Sequence, residues 1–152
     1  MGWYIISVEG KRQIGEIAQL FMIKMIEPKY KMAIDTIFIE GHTDDVPTGI
    51  SLRKKGITNK ELSTFRAIST YTTMLEATNN GIESLRNKND KHLLSYSGYA
   101  DTRPLPICKN INFENNSTLI EINKCRNKNR RIEFYFTVNT PDTKKMKEHL
   151  SD

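Results

Sequence analysis

Apolar residues recur at helical spacing through Ile14, Ile17, Ala18, Phe21, Met22, Met25 and Ile26. That stripe predicts an amphipathic helix over residues 8–27, packed on a core and stopped by Pro28. The alternating segment "TIFIE", Thr36 to Glu40, then predicts a strand. Pro47, Gly49 and Gly56 mark a loop over residues 45–56. Thr58 and Glu61 stand at the spacing of a capping box, so a second long helix is expected from there to about Ala77. Its many threonines give it poor intrinsic propensity, and packing must hold it. Asn79, Asn80 and Gly81 break the pattern, and a short helical piece follows over residues 82–86. "HLLSYSGYA" predicts a strand ending at Gly98, "TLIEINKCRNKNR" a helix and "RIEFYFTV" a last strand. A polar loop with Pro104 and Pro106 separates the second strand from that helix. Helix, strand, helix, strand, helix, strand predicts an α/β (α+β) sandwich with helices packed on one face of a small sheet.

With 152 residues the chain suits one domain. It contains no apolar run near the roughly 18 residues that cross a bilayer. Its first residues lack the basic and apolar regions of a secretory signal, so we expect no signal peptide and no transmembrane helix. Either a cytoplasmic protein or the soluble portion of a membrane-anchored one fits. The net charge of +5 and pI near 9.2 suit nucleic acid, an anionic membrane or an anionic polymer. Basic clusters stand at residues 52–55 and 124–131, and a charge cluster is usually just a solvated face. Cys108 and Cys125 have no CxxC spacing, and His42, His92 and His149 are scattered, which argues against a zinc site. A disulfide and two unrelated thiols both remain open at this point.

The stretch Gly41 to Asp45, "GHTDD", delivers a histidine, a hydroxyl and two carboxylates just past a strand end. As metal ligands His42, Asp44 and Asp45 lack the further donors that a site requires. No G-x-S-x-G elbow supports a nucleophilic serine, and adjacent carboxylates on one loop point apart, so catalysis is not expected. Binding fits better. Asp44 would accept an ammonium. Arg66, two turns into the second long helix, would offer a planar fork to a carboxylate, aided by that helix's N-terminus. The pair suits a ligand carrying both an amine and a carboxylate. The alternative is that Asp44 and Arg66 salt-bridge each other.

The blocks "IEGHTDD", "NKELSTFRA", "SGYADTRP" and "NRRIEFYF" occur in that order between Ile37 and Phe136. Together they resemble the peptidoglycan-binding domain shared by OmpA and MotB. The wide gap between Asp44 and Asn59 is more similar to the MotB-like motor-subunit branch, which includes flagellar stators and the Zorya antiphage apparatus. The resemblance implies a βαβαβ fold with a small mixed sheet, and a non-enzymatic, cofactor-free activity: holding the cell-wall stem peptide by its diaminopimelate residue. It implies that Asp44 and Arg66 grip the amine and carboxylate of that residue. Thr43, Asn59, Leu62 and Ser63 would shape or border the pocket, and Arg130 would reach the peptide's carboxylates. Gly98 matches a backbone position that must stay small, and Glu133 a support for its own strand.

Under the resemblance, residues 1–139 form the domain, with a first strand shortened or altered around "MGWYII". An insertion over about residues 105–128 would be tied off by a Cys108–Cys125 disulfide, and residues 140–152 form a polar tail. Thr70 stands where relatives are hydrophobic, which predicts a looser contact there. The implied setting is the periplasm or cell envelope. The implied partners are peptidoglycan, a second copy of the chain, and a membrane motor subunit if the chain belongs to a longer protein. Two other function classes stand beside this: a basic nucleic-acid-binding domain using the two clusters, and a cell-wall hydrolase.

Overall fold

The computed structural model describes residues 6–112 and 114–139. The altered first strand and the polar tail expected from the sequence fall outside the described residues. The element order is α1 (Val8–Lys24), α2 (Pro28–Ala33), β1 (Ile34–Gly41), α3 (Ile50–Arg53), α4 (Asn59–Ala77), a 3₁₀ turn (Gly81–Ser84), β2 (Leu94–Gly98), a second 3₁₀ turn (Pro106–Cys108), α5 (Leu119–Asn129) and β3 (Ile132–Val138).

The strands form a small mixed sheet of order β2-β1-β3. Pairing of β1 with β2 is parallel: Ile37 donates to Leu93 at 2.8 Å and Tyr99 to Gly41 at 2.9 Å. Parallel neighbours require a crossover, which α4 supplies. Pairing with β3 is antiparallel, from Asn139 donating to Ala33 at 2.8 Å to His42 donating to Arg131 at 3.0 Å. The sheet is thus an α/β arrangement built from the predicted strands.

Two compact units share these elements. Residues 7–38, 72–95 and 134–139 make one. Its core holds Ala18, Phe21, Met25, Ile37, Met74, Ile82 and Leu93, and Phe21 packs edge-on against Phe134 and Phe136 at 5.6 and 5.8 Å. The stripe predicted on α1 is this core. α1 ends three residues earlier than the pattern suggested. Pro28 does not merely stop it but opens α2 from the first-turn position, where a missing N–H costs nothing.

The other unit, residues 39–71 and 96–133, carries the candidate site. Ile39, Leu52, Ala67, Ala100, Cys108 and Ile122 are its buried apolar residues. The loop expected over residues 45–56 contains the single turn α3, capped by Gly49 in an extended conformation. α5 begins with a reciprocal capping box between Thr118 and Glu121, which secures a helix otherwise poor in apolar residues. Thr70 is fully buried rather than loose; its hydroxyl donates to the Arg66 carbonyl at 3.0 Å.

Candidate functional site

β1 stays paired beyond its last strand residue. Gly41 accepts from Tyr99, His42 donates to Arg131, and Thr43 donates to Ala100 at 2.8 Å. The chain is therefore held from both sides until Asp44, where it turns away. On the adjoining side the start of α4 presses against this strand end. A Cβ at Gly41 would stand 2.0 Å from the Ser63 carbonyl oxygen, and one at Gly98 would stand 2.3 Å from the Thr64 hydroxyl. Only glycine fits such approaches. Ser63 completes the joint: its hydroxyl accepts from the Ala100 amide at 3.0 Å and donates to the Lys60 carbonyl at 2.9 Å.

The result is a cavity of about 360 Å³ lined by Thr43, Asp44, Asn59, Leu62, Arg66 and Arg130, with residues 46–49 and Leu52 forming the rest. Of the site residues expected from the sequence, Ser63 alone is not in the wall. It is fully buried and positions α4 instead. The contribution of residues 46–49 and Leu52 was not anticipated, although Pro47 and Gly49 marked a shaped loop. Asn59 fixes that loop, donating to the carbonyls of Asp44 at 3.2 Å and Val46 at 3.1 Å.

Asp44 is almost wholly buried and ion-paired with Arg130, and it also accepts from the Val46 amide at 3.2 Å. Arg66 instead donates to the His42 carbonyl at 3.2 Å. The alternative in which Asp44 and Arg66 satisfy each other is thus corrected: α5 brings Arg130 to Asp44 and leaves Arg66 on a neutral carbonyl. Burial, then the neighbouring Arg130, pulls the Arg66 pKa below its usual value, and Asp44 only partly offsets this. One carboxylate among two guanidinium groups leaves the cavity with surplus positive charge. A ligand carboxylate would relieve it.

Glu40, His42 and Glu133 bring possible metal-ligand atoms within 4.8 Å of one another. Arg103 already stands 3.3 Å from Glu40 and Arg131 2.7 Å from Glu133. The two carboxylates are neutralised, so a divalent cation would enter a balanced cluster. His42 is buried against Tyr99, with ring centroids 5.7 Å apart, and Arg103 covers the Tyr99 ring at 3.5 Å. Burial and Arg131 hold His42 below its ordinary pKa, with Glu133 pulling the other way. Neutral His42 lies 3.4 Å from Glu133 of the Glu133–Arg131 pair, where the end of β1 meets the start of β3.

Cys108 and Cys125 form a disulfide, with Cα atoms 5.5 Å apart. It fastens α5, from which Arg126 grips Asp45 through two hydrogen bonds of 2.8 and 3.1 Å. Arg126, Arg130 and Arg131 of the basic cluster are therefore engaged by carboxylates of this chain. That leaves the cluster less charge to offer nucleic acid.

Solved structures with this fold include the C-terminal domain of Helicobacter pylori MotB, at 25% identity and a TM-score of 0.57, covering 97% of this chain and 88% of that one. The periplasmic domain of Helicobacter pylori MotB matches at 24% identity and a TM-score of 0.54, covering 95% and 71%. A MotB-like protein from Desulfovibrio vulgaris matches at 20% identity and a TM-score of 0.55, covering 92% and 68%. No protein-family model and no curated protein sequence matches the chain. The fold is that of the MotB periplasmic domain, in line with the OmpA/MotB-type resemblance. Among the described residues no helix is long and apolar enough to cross a membrane.

Proposed function

We propose that this chain binds peptidoglycan without catalysis, holding the diaminopimelate residue of a stem peptide in the cavity beside Asp44. One observation carries the reading. A single cavity of suitable size is lined by the carboxylate of Asp44 and the guanidinium groups of Arg66 and Arg130. A diamino acid presents an ammonium and a carboxylate together. Its ammonium replaces Arg130 on Asp44, and its carboxylate takes the forks of Arg66 and the freed Arg130. Asn59 and Thr43 fix the loop and floor, and Leu62 lies along the aliphatic part.

The MotB-like fold and the four sequence blocks support an anchoring role in the cell envelope, as the periplasmic part of a membrane or motor protein. Flagellar stators and antiphage motors both use such a part. A dimer of this chain and a membrane motor subunit are its proposed partners. Each charged contact is modest, on the order of 1.5–3 kcal/mol, so affinity per site falls in the micromolar to millimolar range. Firm attachment follows from several copies meeting a repetitive polymer.

Co-sedimentation with purified peptidoglycan tests this. Wild type pellets with the polymer and is released by diaminopimelate; Asp44→Ala and Arg66→Ala stay in the supernatant while remaining folded. Equal pelleting of all three proteins would remove the site from the account.

A further inference from the structure

A second cavity, of about 220 Å³, shares Thr43 as a wall with the first. It is built by the insertion. The Cys108–Cys125 disulfide and the buried Ile122 line it together with Pro104 and Ile111, while Asp101 and Lys109 supply charge. Asp44 lines one cavity and Asp45 the other, so consecutive residues of the strand-end turn face both. The disulfide and Arg126, paired with Asp45, hold the second cavity's wall in place.

The chemistry of this second cavity is amphiphilic and small. Its modest volume and its apolar wall of Pro104, Ile111, Ile122 and the disulfide suit a small side chain. Lys109 and Asp101 are exposed, and neither forms an ion pair among the described residues, so each is available to a ligand. An ammonium beside an apolar wall suits a peptide unit with a small side chain and a terminal carboxylate.

We infer that this cavity is a second subsite, taking the amino-acid residue that continues the peptide beyond the diamino residue. The inference rests on the stem-peptide reading above and deepens it. The continuing residue packs its methyl group against Ile111, Pro104 and the disulfide, and its carboxylate meets the Lys109 ammonium. Thr43, common to both cavities, lies beneath the peptide bond joining the two residues. The insertion thereby gives the site a length preference: it distinguishes a stem that ends at the diamino acid from one that is extended.

Calorimetric titration of the disulfide-intact protein with two peptides tests this. One is a stem tripeptide ending in diaminopimelate, the other the same peptide extended by one D-alanine. The extended peptide binds wild type at least about fivefold tighter. Lys109→Glu and Ile111→Trp, both at positions with some solvent exposure, abolish that preference and leave tripeptide affinity unchanged. Equal affinities on wild type, or a preference that survives both variants, would overturn the second subsite while leaving the first intact. Failure of wild type to bind either peptide would remove both readings together.

Discussion

Gly41→Ala puts the architecture of the site under direct strain. The new Cβ would sit 2.0 Å from the Ser63 carbonyl oxygen and 2.8 Å from its carbon. An ordinary contact requires roughly 3.5 Å, so one backbone must retreat by more than about 1 Å. Neither is free to do so cheaply. Gly41 accepts from Tyr99 at 2.9 Å, and Ser63 is tied to Ala100 at 3.0 Å. Overpacking of a rigid contact costs about 1–3 kcal/mol, and a clash between two backbones belongs at the upper end. For a chain of this size each kcal/mol lowers Tm by about 2–4 °C, so a loss of roughly 6–12 °C is expected by scanning calorimetry. Gly49→Ala is the control. Its added Cβ meets nothing within 4 Å, and its φ of −57° suits alanine. It should be neutral or stabilising by about 0.4–1 kcal/mol through the unfolded chain. A Gly41→Ala protein that melts with wild type, or no lower than the Gly49→Ala control, would refute the claim that α4 is pressed against the strand end.

Three further outcomes follow from the same geometry. His42 is held below its ordinary pKa of about 6.5 in the fold, chiefly by burial, so the unfolded chain takes up its proton first. Stability is full above about pH 6.5 and falls as the pH drops through the folded value; His42→Gln should flatten that slope in denaturant titrations, and an unchanged slope would contradict the assignment. Replacing Cys108 and Cys125 by serine frees the loop that the disulfide closes, at a cost of about 3 kcal/mol. The double variant should melt lower and bind diaminopimelate more weakly, because Arg126 and Arg130 lose their fastening; unchanged melting would show that the bond constrains nothing. Asn59→Ala removes the hydrogen bonds to the carbonyls of Asp44 and Val46. About 1 kcal/mol of stability and a severalfold loss of ligand affinity are expected, and wild-type affinity would mean the loop holds itself.

How much of this could be read from the residues differs from element to element. β1 was legible because buried Ile37 and Ile39 flank the half-buried Phe38, and the break at Gly41 marked where polar groups emerge. α4 was legible from Thr58 and Glu61 despite its threonines. α2 was hidden because Pro28 reads as a stop from one side and as a first helical residue from the other. α3 is a single turn, too short for any periodicity. Partners were harder than positions. Asp44 and Arg66 line one cavity, but the carboxylate's ion pair goes to Arg130, which follows the end of α5, 86 residues further along. Nothing in the sequence pattern ties Arg126 to Asp45 either, because that pairing depends on how the insertion is folded back by its disulfide. Ser63, expected to shape or border the pocket, does not line it; its hydroxyl holds the joint between Ala100 and Lys60 that positions α4.

The central claim, that Asp44 and Arg66 together recognise a diamino acid, is tested most directly by calorimetric titration of diaminopimelate into the wild-type, Asp44→Ala and Arg66→Ala proteins at low salt. Wild type should show saturable binding of one ligand per chain in the micromolar to millimolar range, with each variant weaker by at least about tenfold, the equivalent of one lost charged hydrogen bond. No saturable heat with wild type, or identical binding by all three proteins, would contradict it.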